Sequence, residues 1–447
     1  MVFMADTILI RDGTLVTLAN ENKITKNGAV FIEDNRIIDS GKVSNLEKKY
    51  DYDRSIDASG KIIMPGLINT HHHLYSTFAR GFSVPGKAPE NFEEILEKLW
   101  WRLDRNLTEE TIYYSALISL VECVRKGTTT IIDHHESQSY QEGALDEIAK
   151  AVKEIGLRAS LCLGASDRYS KGEEGIRENE RFLSKLDSNP SELLRSMVGL
   201  HASFTVNNDT LDKSVEIAKK YNVGVHFHCA EGKVDQEKNV AKYNQRVVER
   251  LYNHDALGKK SLAVHGIHLN DEELDILKKT NTNVVHNAES NMNNAVGYAD
   301  VPEMLRRGIK VGIGTDGMSS DILSQTRCAC LLHSHESRDS RVGFEEATKM
   351  LLENNPEIVE RIADWNVGEI RTGALADIIL IDYHPPTPFN ENTFLGHLIY
   401  GLVNGTVDTT ICNGKILMHN KELIGVDEES LASRATETAS ELWDKIR

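Results

Sequence analysis

Strand-like and helix-like segments alternate through the middle of the chain, and this alternation limits the fold more than any other feature. The apolar segment TTTIIDHH, for example, lies between the amphipathic segments TEETIYYSALISLVECVRKG and LDEIAKAVKEIG. Repeated units of this kind favour a parallel sheet with helices outside it. About eight units in about 300 residues fit a closed (β/α)8 TIM-type barrel. An open, doubly wound sheet is the alternative.

The positions of polar residues favour the barrel over the open sheet. Histidines and aspartates recur at the C-terminal ends of the predicted strands. In a closed barrel these ends meet at one mouth, where catalytic groups collect, whereas an open sheet spreads them along an edge. The residues concerned are His71, His73, Asp133, His201, His228, His265, His286 and Asp316.

The two ends of the chain differ from its middle. Residues 1–60 and 370–425 contain β-branched runs such as TILIRDGTLV and ADIILIDY, broken by turn-forming pairs such as Asp-Gly. We therefore expect an α/β protein in which a small β-sandwich-like domain, built from both termini, flanks a barrel over 61–369. Residues 426–447 keep a helical period without a breaker and predict a C-terminal helix on the surface.

Composition excludes several classes of function. The chain has 447 residues, 40% hydrophobic and 27% charged, which is typical of a soluble globular enzyme, and its formal net charge is −17. A field of this sign repels phosphate backbones and anionic lipids, so neither nucleic acid nor a membrane is an expected partner. The segment MVFMADTILI has no signal-peptide pattern, and the six cysteines form no CxxC pair. We therefore expect a cytoplasmic location.

A histidine run within MPGLINTHHHLYSTFARG, residues 64–81, is the strongest sign of chemistry. Alternate side chains of a strand point the same way, so His71 and His73 share a face while His72 points away. Two imidazoles on one face can bind one metal ion, and imidazole suits zinc, iron, nickel and copper. The segment HFHCAE holds a second such pair, His226 and His228.

Five signatures follow one another along the chain: PGLINTHHH, HCAE, VHG, HNAESN and GTDG. Together they resemble the amidohydrolase superfamily, and within it the metal-dependent cytosine/guanine-deaminase-like branch. The segments LWWRLDR, IIDHH and SNMNNAVGY are similar, more narrowly, to the aminohydrolases labelled SsnA. The resemblance covers nearly the whole chain, including GALADIILID at residues 373–382.

The resemblance implies roles residue by residue. Glu231 would be the general acid and base, and His265 would hydrogen-bond the nucleophile or the developing oxyanion. Three histidines and an aspartate around an open position would form a catalytic metal site, in which bound water has a lowered pKa. His226, one layer deeper, is expected to be a satisfied core residue. The implied ligands, of which the aspartate is also catalytic, are His71, His73, His228 and Asp316.

The resemblance also bears on the number of metal ions. Relatives with two ions bridge them through a carboxylated lysine at the end of strand four, where this chain has SMVGLHASFT and no lysine. One divalent metal ion is therefore expected, with zinc favoured and iron as the alternative. A second site at His333 and His335 is not expected, because residues two apart on a helix point away from each other.

Several residues are candidates for contact with the substrate. The segment from Leu74 to Asp104 is long for a connection between a strand and a helix, and it is long enough to act as a lid. Either Trp100 or Trp101 is placed to stack on a flat heterocycle, with a core position as the alternative. The candidates are Arg80, for which a structural role is the alternative, Trp100, His134, His135 and His201.

Other polar residues near these motifs are interpreted as structural. Asp133 ends a buried strand, while Asn287, Ser290 and Asn291 are expected to hold the loop that carries His286. The run His134-His135-Glu136 imitates the HxE motif of another zinc-deaminase class. That class also needs a PCxxC motif, which the chain lacks.

The expected reaction is the hydrolytic deamination of a cyclic, heteroaromatic compound with release of ammonia. Ring opening of a cyclic amide or amidine by the same site is the main alternative, and loss of a halide is a lesser variant. A non-catalytic scaffold is a remote alternative, because the implied ligands and catalytic residues are all present. By resemblance alone, a homodimer is allowed.

Overall fold

The strands of the protein are short, mostly buried runs rich in β-branched residues. The structure, a computed structural model, describes residues 6–19 and 22–447. The strands are β1 Thr7–Val16, β2 Ile24–Glu33, β3 Arg36–Lys42, β4 Arg54–Asp57, β5 Lys61–Pro65, β6 Leu67–His72, β7 Thr128–Asp133, β8 Arg158–Leu161, β9 Leu194–Ser196, β10 Val198–Ala202, β11 Val225–Cys229, β12 Leu262–His265, β13 Asn283–His286, β14 Val311–Ile313, β15 Ile378–Asp382, β16 Thr406–Cys412, β17 Lys415–His419 and β18 Glu422–Leu423.

Helices follow most of the central strands. Several begin at polar caps, as where Thr108, Asn207 and Asn270 accept a hydrogen bond from a first-turn N–H. The helices are α1 Val43–Lys49, α2 Phe92–Ile95, α3 Trp101–Asp104, α4 Glu109–Arg125, α5 Ala144–Ile155, α6 Gly172–Ser188, α7 Asn208–Tyr221, α8 Lys233–Tyr243, α9 Val247–Asn253, α10 Asp271–Thr280, α11 Ala288–Asn293, α12 Val301–Arg306, α13 Ile322–Ser337, α14 Phe344–Lys349, α15 Asn355–Ala363, α16 Phe394–Tyr400 and α17 Glu428–Ile446.

The central strands form two parallel sheets that meet on both sides. One sheet has the order β6-β7-β8-β9 and the other β10-β11-β12-β13-β14. Only Met197 separates β9 from β10, and a parallel bridge joins Ala165 to Leu200. On the opposite side a parallel bridge joins His72 to Asp316. Counting β9 and β10 as one interrupted strand, the ring has eight positions, and the predicted (β/α)8 barrel is confirmed.

The strands near the two termini belong together, as predicted. They form one nine-stranded sheet in which β15 is antiparallel to β5, and β5 is parallel to β1. Buried aliphatic side chains of these strands, such as Ile10, Ile32 and Leu380, make a core separate from that of the barrel. Strand β5 pairs with β1 and β15, so it belongs to this nine-stranded sheet, which we call the terminal sheet. The predicted boundaries between units at residues 60, 369 and 425 stay predictions.

Ion pairs and hydrogen bonds join the outer elements to the barrel. The C-terminal helix α17 packs beside α4, where Arg125 pairs with Glu428 and the Trp443 indole N–H donates to the Phe78 carbonyl at 2.7 Å. Arg158 of β8 is fully buried and pairs with Asp377, just before β15, at 3.0 Å. Within the described ranges, no helix combines the length and apolar content needed to cross a membrane.

Candidate active site

Four predicted metal ligands converge at the carboxyl ends of the barrel strands. His73 Nε2 lies 3.2 Å from His228 Nε2 and 3.2 Å from Asp316 Oδ1. His71 Nε2 lies 3.9 Å from the same Asp316 oxygen. These residues come from β6, β11 and the end of β14, so the closed ring brings together positions that are far apart in the chain.

The donor set fits a divalent transition metal. Three imidazole nitrogens and one carboxylate oxygen are the ligands that catalytic zinc prefers. His71 Nε2 is buried and has no hydrogen-bond partner among the described residues, as expected of an atom reserved for another ligand. Each of the other three ligands has a second partner: the His134 carbonyl for His73, the His201 carbonyl for His228 Nδ1, and the Ser290 hydroxyl for Asp316.

The ligands are strongly coupled electrostatically. Burial alone would lower the pKa of His73, but the neighbouring Asp316 carboxylate raises that pKa to about 9. Burial opposes ionisation of Asp316, yet His73 and then His265 hold the pKa of this carboxyl well below its usual range. Burial, followed by the charge of His73, lowers the pKa of His228 to about 3. Metal binding must therefore displace a proton from His73.

Glu231 and His265, the two other predicted catalytic residues, stand beside the ligand cluster. His265 Nε2 lies 3.5 Å from Glu231 Oε2 and 3.8 Å from Asp316 Oδ2. The Asn291 side-chain oxygen accepts from His265 Nδ1 at 2.8 Å, so Nε2 is left to face both carboxyl groups. Burial, followed by the charge of Asp316, raises the pKa of Glu231 to about 8.

The loop after β13 has a more direct role than predicted. Ser290 donates its hydroxyl to Asp316 Oδ2 at 2.6 Å, and Asn291 orients His265. Ser290 and Asn291 therefore contact site residues directly, while the role predicted for them and Asn287 in holding the loop and His286 stays a prediction. His286 is buried against His333 of α13, with ring centroids 5.0 Å apart. The sequence could not reveal this, because α11 carries two of these residues across the barrel mouth.

The backbone is unusual at three of the site's residues. Ala230, His265 and Asp316 have φ angles of 48°, 74° and 54°, in the left-handed region that residues with a Cβ seldom adopt. Such conformations persist where the surrounding structure determines them, and they concentrate at functional sites. Here they turn Glu231, His265 and Asp316 towards one point.

His226 is a buried residue, as predicted, but it also contacts a ligand. Its Nε2 lies 2.9 Å from His71 Nδ1, and its Nδ1 lies 3.5 Å from Cys162 Sγ. Because a metal would take His71 Nε2, the Nδ1 proton is the one that is donated to His226. The two histidines of HFHCAE therefore lie in different places, with His228 in the ligand cluster and His226 behind His71.

A pocket opens beside the ligand cluster and holds about 700 Å³ free of protein atoms, including its open mouth. The segment Leu74–Asp104, predicted as a lid, covers much of it with the 3₁₀ helix Leu74–Ala79 and the helical stretch through α2 and α3. Its movement stays a prediction. Besides the residues of the cluster, the lining includes Tyr75, Phe92, Leu96, Trp100, Trp101, Asp104, Glu136, His201, Phe204, Asp235, Asn294 and Met318.

The structure separates the predicted substrate contacts into two groups. Trp100 and His201 line the pocket. His134 and His135 are fully buried behind it, and His134 donates to the Leu200 carbonyl at 3.0 Å. Arg80 faces Glu122 of α4 in a two-point ion pair with the shorter contact at 2.6 Å. For Arg80 this replaces the predicted substrate contact, because a local motif does not show which way a side chain leaves a 3₁₀ helix.

Three lining carboxyl groups escaped the sequence analysis, namely Asp104, Glu136 and Asp235. Asp104 and Glu136 lie 1% and 3% exposed, and both pair with Arg168, at 2.8 Å and 3.2 Å. Glu136 stands three residues past the end of a barrel strand, which was the available signal. Arg168 lies in the connection after β8 and offered none.

The structure also places three other sets of residues that the sequence analysis discussed. Asp133 accepts the Leu74 N–H at 2.7 Å, a structural contact. His333 and His335 lie on α13, and neither belongs to a potential metal cluster in the described part of the chain. All six cysteines are free thiols.

Comparisons with known proteins agree with this geometry. A family model described as the amidohydrolase family matches residues 62–417. The chain is 32% identical to a 5-methylthioadenosine/S-adenosylhomocysteine deaminase of Halothermothrix orenii, over 97% of this chain and 99% of the relative. It is also 32% identical to a 5'-deoxyadenosine deaminase of Methanosarcina mazei, over 99% and 100%.

Solved structures share the fold. An adenosine deaminase from Xanthomonas campestris with bound zinc has a TM-score of 0.85 at 23% identity, covering 98% of each chain. Atrazine chlorohydrolase from Arthrobacter aurescens, complexed with zinc, has a TM-score of 0.81 at 20% identity, covering 97% of this chain and 100% of the other. The chain belongs to the amidohydrolase family, and the predicted enzyme class, an aminohydrolase of that family, is confirmed. The narrower resemblance to the SsnA group stays a prediction.

Proposed function

We propose that this amidohydrolase removes an amino group from a heteroaromatic ring by hydrolysis, with adenine nucleosides as the first candidates. One observation carries the proposal. His265 Nε2 lies within 3.8 Å of both the Glu231 and the Asp316 carboxyl groups, directly beside the four ligand atoms. An acid, a base and an open metal position therefore share one point at the end of a pocket. The relatives named above act, by name, on adenosine derivatives.

We further propose one metal ion, zinc, held by His71, His73, His228 and Asp316. In such a ligand set a divalent metal lowers the pKa of bound water towards neutrality and so supplies the nucleophile. The absence of a lysine from β10 and its His201 support a single ion. Iron is the alternative, since the same ligands suit both metals.

Side chains of the protein then transfer the protons. Glu231 carries the proton lost by the attacking water and delivers it to the ring nitrogen next to the carbon that bears the amino group. Asp316 Oδ2, which accepts from Ser290, and His265 Nε2 pass the remaining hydroxyl proton to the leaving nitrogen. The sum is one water consumed, one ring carbonyl formed and one ammonia released.

The pocket suits a flat substrate. Trp100, Phe92 and Leu96 give it an apolar side, and Phe204 faces them from the 3₁₀ helix Ser203–Thr205. Aromatic walls of this kind stack on heterocycles, while a few polar groups fix their orientation.

The test is ammonia release from zinc-loaded and iron-loaded protein across aminated purine nucleosides, pyrimidines, pterins and triazines. Release from one ring class, in proportion to bound metal, is the expected result. A product heavier than the substrate by one water, without ammonia, would instead identify ring opening. Protein that binds metal but changes none of these compounds would contradict the proposed reaction.

A further inference from the structure

The pocket has an unusual balance of charge. Among the described residues that line it there is no lysine or arginine, yet there are several carboxyl groups. Three of these serve the metal end of the pocket. The other two form, with Trp101, what we call the polar wall, defined as Trp101, Asp104 and Glu136. The five lining carboxyl groups are Asp104, Glu136, Glu231, Asp235 and Asp316.

Arg168 orders the polar wall from behind. Its Nη1 lies 2.8 Å from Asp104 Oδ2, its Nη2 lies 3.2 Å from Glu136 Oε2, and its guanidinium is 4.9 Å from the Trp101 ring centroid. Each carboxyl group thus uses one oxygen for Arg168. The contact with Glu136 is a hydrogen bond, whereas the contact with Asp104 is an ion pair, because Arg168 Nη1 has no hydrogen-bond partner among the described residues.

The polar wall leaves buried polar atoms without partners. Asp104 Oδ1 and Trp101 Nε1 have none within residues 6–19 and 22–447, and Asp104 is only 1% exposed. A buried donor or acceptor without a partner is costly, so such atoms in a pocket indicate a ligand that supplies the missing hydrogen bonds. Glu136 lies nearer the proposed metal ligands, with one carboxylate oxygen within 4.8 Å of a nitrogen of His228.

None of the described residues offers an unpaired positive charge to an anion at this wall. Arg168 is shared between Asp104 and Glu136, and Lys238, which lies 5.4 Å from the Phe204 ring centroid, pairs with Glu93. Moving an anionic group out of water without a counter-charge is strongly unfavourable. A substituent that reaches this wall must therefore be uncharged.

We propose that the polar wall selects uncharged heterocycles that carry hydrogen-bond donors on the end away from the departing amino group, and that it rejects anionic substituents. Asp104 accepts from these donors, and Arg168 is a positioning residue. This inference rests on the proposed function, because it assumes that the amino group faces the metal ligands.

The ionisation of the wall agrees with this selection. Burial raises the pKa of Asp104 to about 6 and that of Glu136 to about 8, in both cases against the lowering effect of Arg168. Near neutral pH the Asp104 carboxylate balances Arg168 while Glu136 keeps a proton. The wall is then close to neutral overall and rich in acceptors.

Three compounds, bound to zinc-loaded protein, test whether the polar wall rejects anionic substituents. Adenosine is compared with 5'-methylthioadenosine, a neutral extension, and with adenosine 5'-monophosphate, an anionic one. We expect methylthioadenosine to bind within about 10-fold of adenosine and the monophosphate to bind at least about 100-fold more weakly. Dissociation constants from equilibrium dialysis at 4 °C, with product checked, keep this result separate from turnover. Equal dissociation constants for all three compounds would overturn the proposal. Equally weakened binding of methylthioadenosine and the monophosphate would also overturn it, because size and not charge would then explain the difference from adenosine.

Two further pairs of compounds identify which hydrogen-bond donors of the substrate the polar wall recognises. Adenosine against 2',3'-dideoxyadenosine tests sugar hydroxyls, and 2,6-diaminopurine against adenine tests a ring amino group. We expect Asp104→Asn to erase most of a preference of about 10- to 100-fold for the donor-bearing member of one pair. Trp101→Phe, which keeps an aromatic ring but loses the indole N–H together with the rest of the five-membered ring, tests the wall if Asp104→Asn fails to fold.

The matched control is Asp146→Asn, the same change in a carboxylate that pairs with Arg181 at 2.9 Å outside the pocket. The ratio of dissociation constants within each pair of compounds should equal that of the parent protein. If folded Asp104→Asn and Trp101→Phe proteins, judged by thermal melting, also keep the parent ratios, the polar wall does not select the substrate.

Discussion

His226 Nε2 lies 2.9 Å from His71 Nδ1, and both imidazoles are completely buried. The far nitrogen of His226 faces Cys162 Sγ at 3.5 Å, and that sulfur lies 3.5 Å from the Asp133 carbonyl. Each of the three hydrogen bonds has one donor and one acceptor if the protons lie on His71 Nδ1, His226 Nδ1 and Cys162 Sγ. In that arrangement the lone pair of His71 Nε2 is directed at the other ligand atoms.

The first prediction concerns this contact. His226→Ala removes the acceptor that fixes the tautomer of His71, so we expect metal affinity to fall about 10- to 100-fold. His226→Gln keeps an acceptor and should recover part of the loss. Competition with a chromophoric chelator measures the zinc dissociation constant without any substrate. His333→Gln, another buried imidazole, is the control, and an unchanged dissociation constant in His226→Ala would contradict the role of His226.

The second prediction concerns the general acid. Glu231→Gln keeps the size of the side chain but cannot carry the proton, so kcat should fall about 100- to 10,000-fold while zinc content stays equal to that of the parent. Glu237→Gln, the same change at an exposed position of α8, should leave kcat unaltered. Asp316→Asn should likewise abolish turnover, but with loss of metal. Normal turnover in Glu231→Gln would end the proposed mechanism.

Much of this site could be predicted from the sequence because its residues sit at the ends of periodic elements. The strand period places His71 and His73 on one face at the end of β6, whereas the choice of His228 in β11 came from the family resemblance. The barrel itself followed from the alternation of strands and helices. Both inferences use information that lies within a few residues.

The remainder depends on contacts between distant segments. His71 and His226 are 155 residues apart, and their hydrogen bond exists only because the closed ring places β6 opposite β11. The polar wall likewise joins α3 to the connections after β7 and β8 through Arg168. Arg80 belongs to a local sequence motif and was a candidate for substrate contact. Its partner is instead Glu122, which lies on another helix, and the motif did not indicate this pairing.

The third prediction is a pH dependence of stability. Burial raises the pKa of Glu136 from 4.5 to about 8, against Arg168. The folded state thus keeps a proton that the unfolded chain loses, so the stabilising contribution is complete below pH 4.5 and is lost as the pH rises through 8. The slope is at most about 1.4 kcal/mol per pH unit.

Glutamine does not titrate, so the stability of the parent protein relative to Glu136→Gln should fall steadily between pH 5 and pH 8. Denaturant unfolding at fixed zinc concentration measures the difference. Glu441→Gln, at an exposed position of α17, is the control and should follow the parent at every pH. Parallel profiles for the parent and Glu136→Gln would show that Glu136 has an ordinary pKa.

The last prediction concerns the joint between the terminal sheet and the barrel. Arg158 of β8 is fully buried, and its Nε donates to Asp377 at 3.0 Å, its Nη2 to the Asn413 side chain at 2.7 Å and its Nη1 to the Glu192 carbonyl at 2.7 Å. Asp377→Ala leaves the guanidinium buried beside a neutral partner, which costs about 3–5 kcal/mol. Replacing Arg158 with Met and Asp377 with Leu together removes both charges, and should restore most of that loss because no charge remains unpaired. Thermal and denaturant unfolding of the single and double variants measures the difference. If Asp377→Ala is as stable as the parent, the ion pair does not hold the terminal sheet to the barrel.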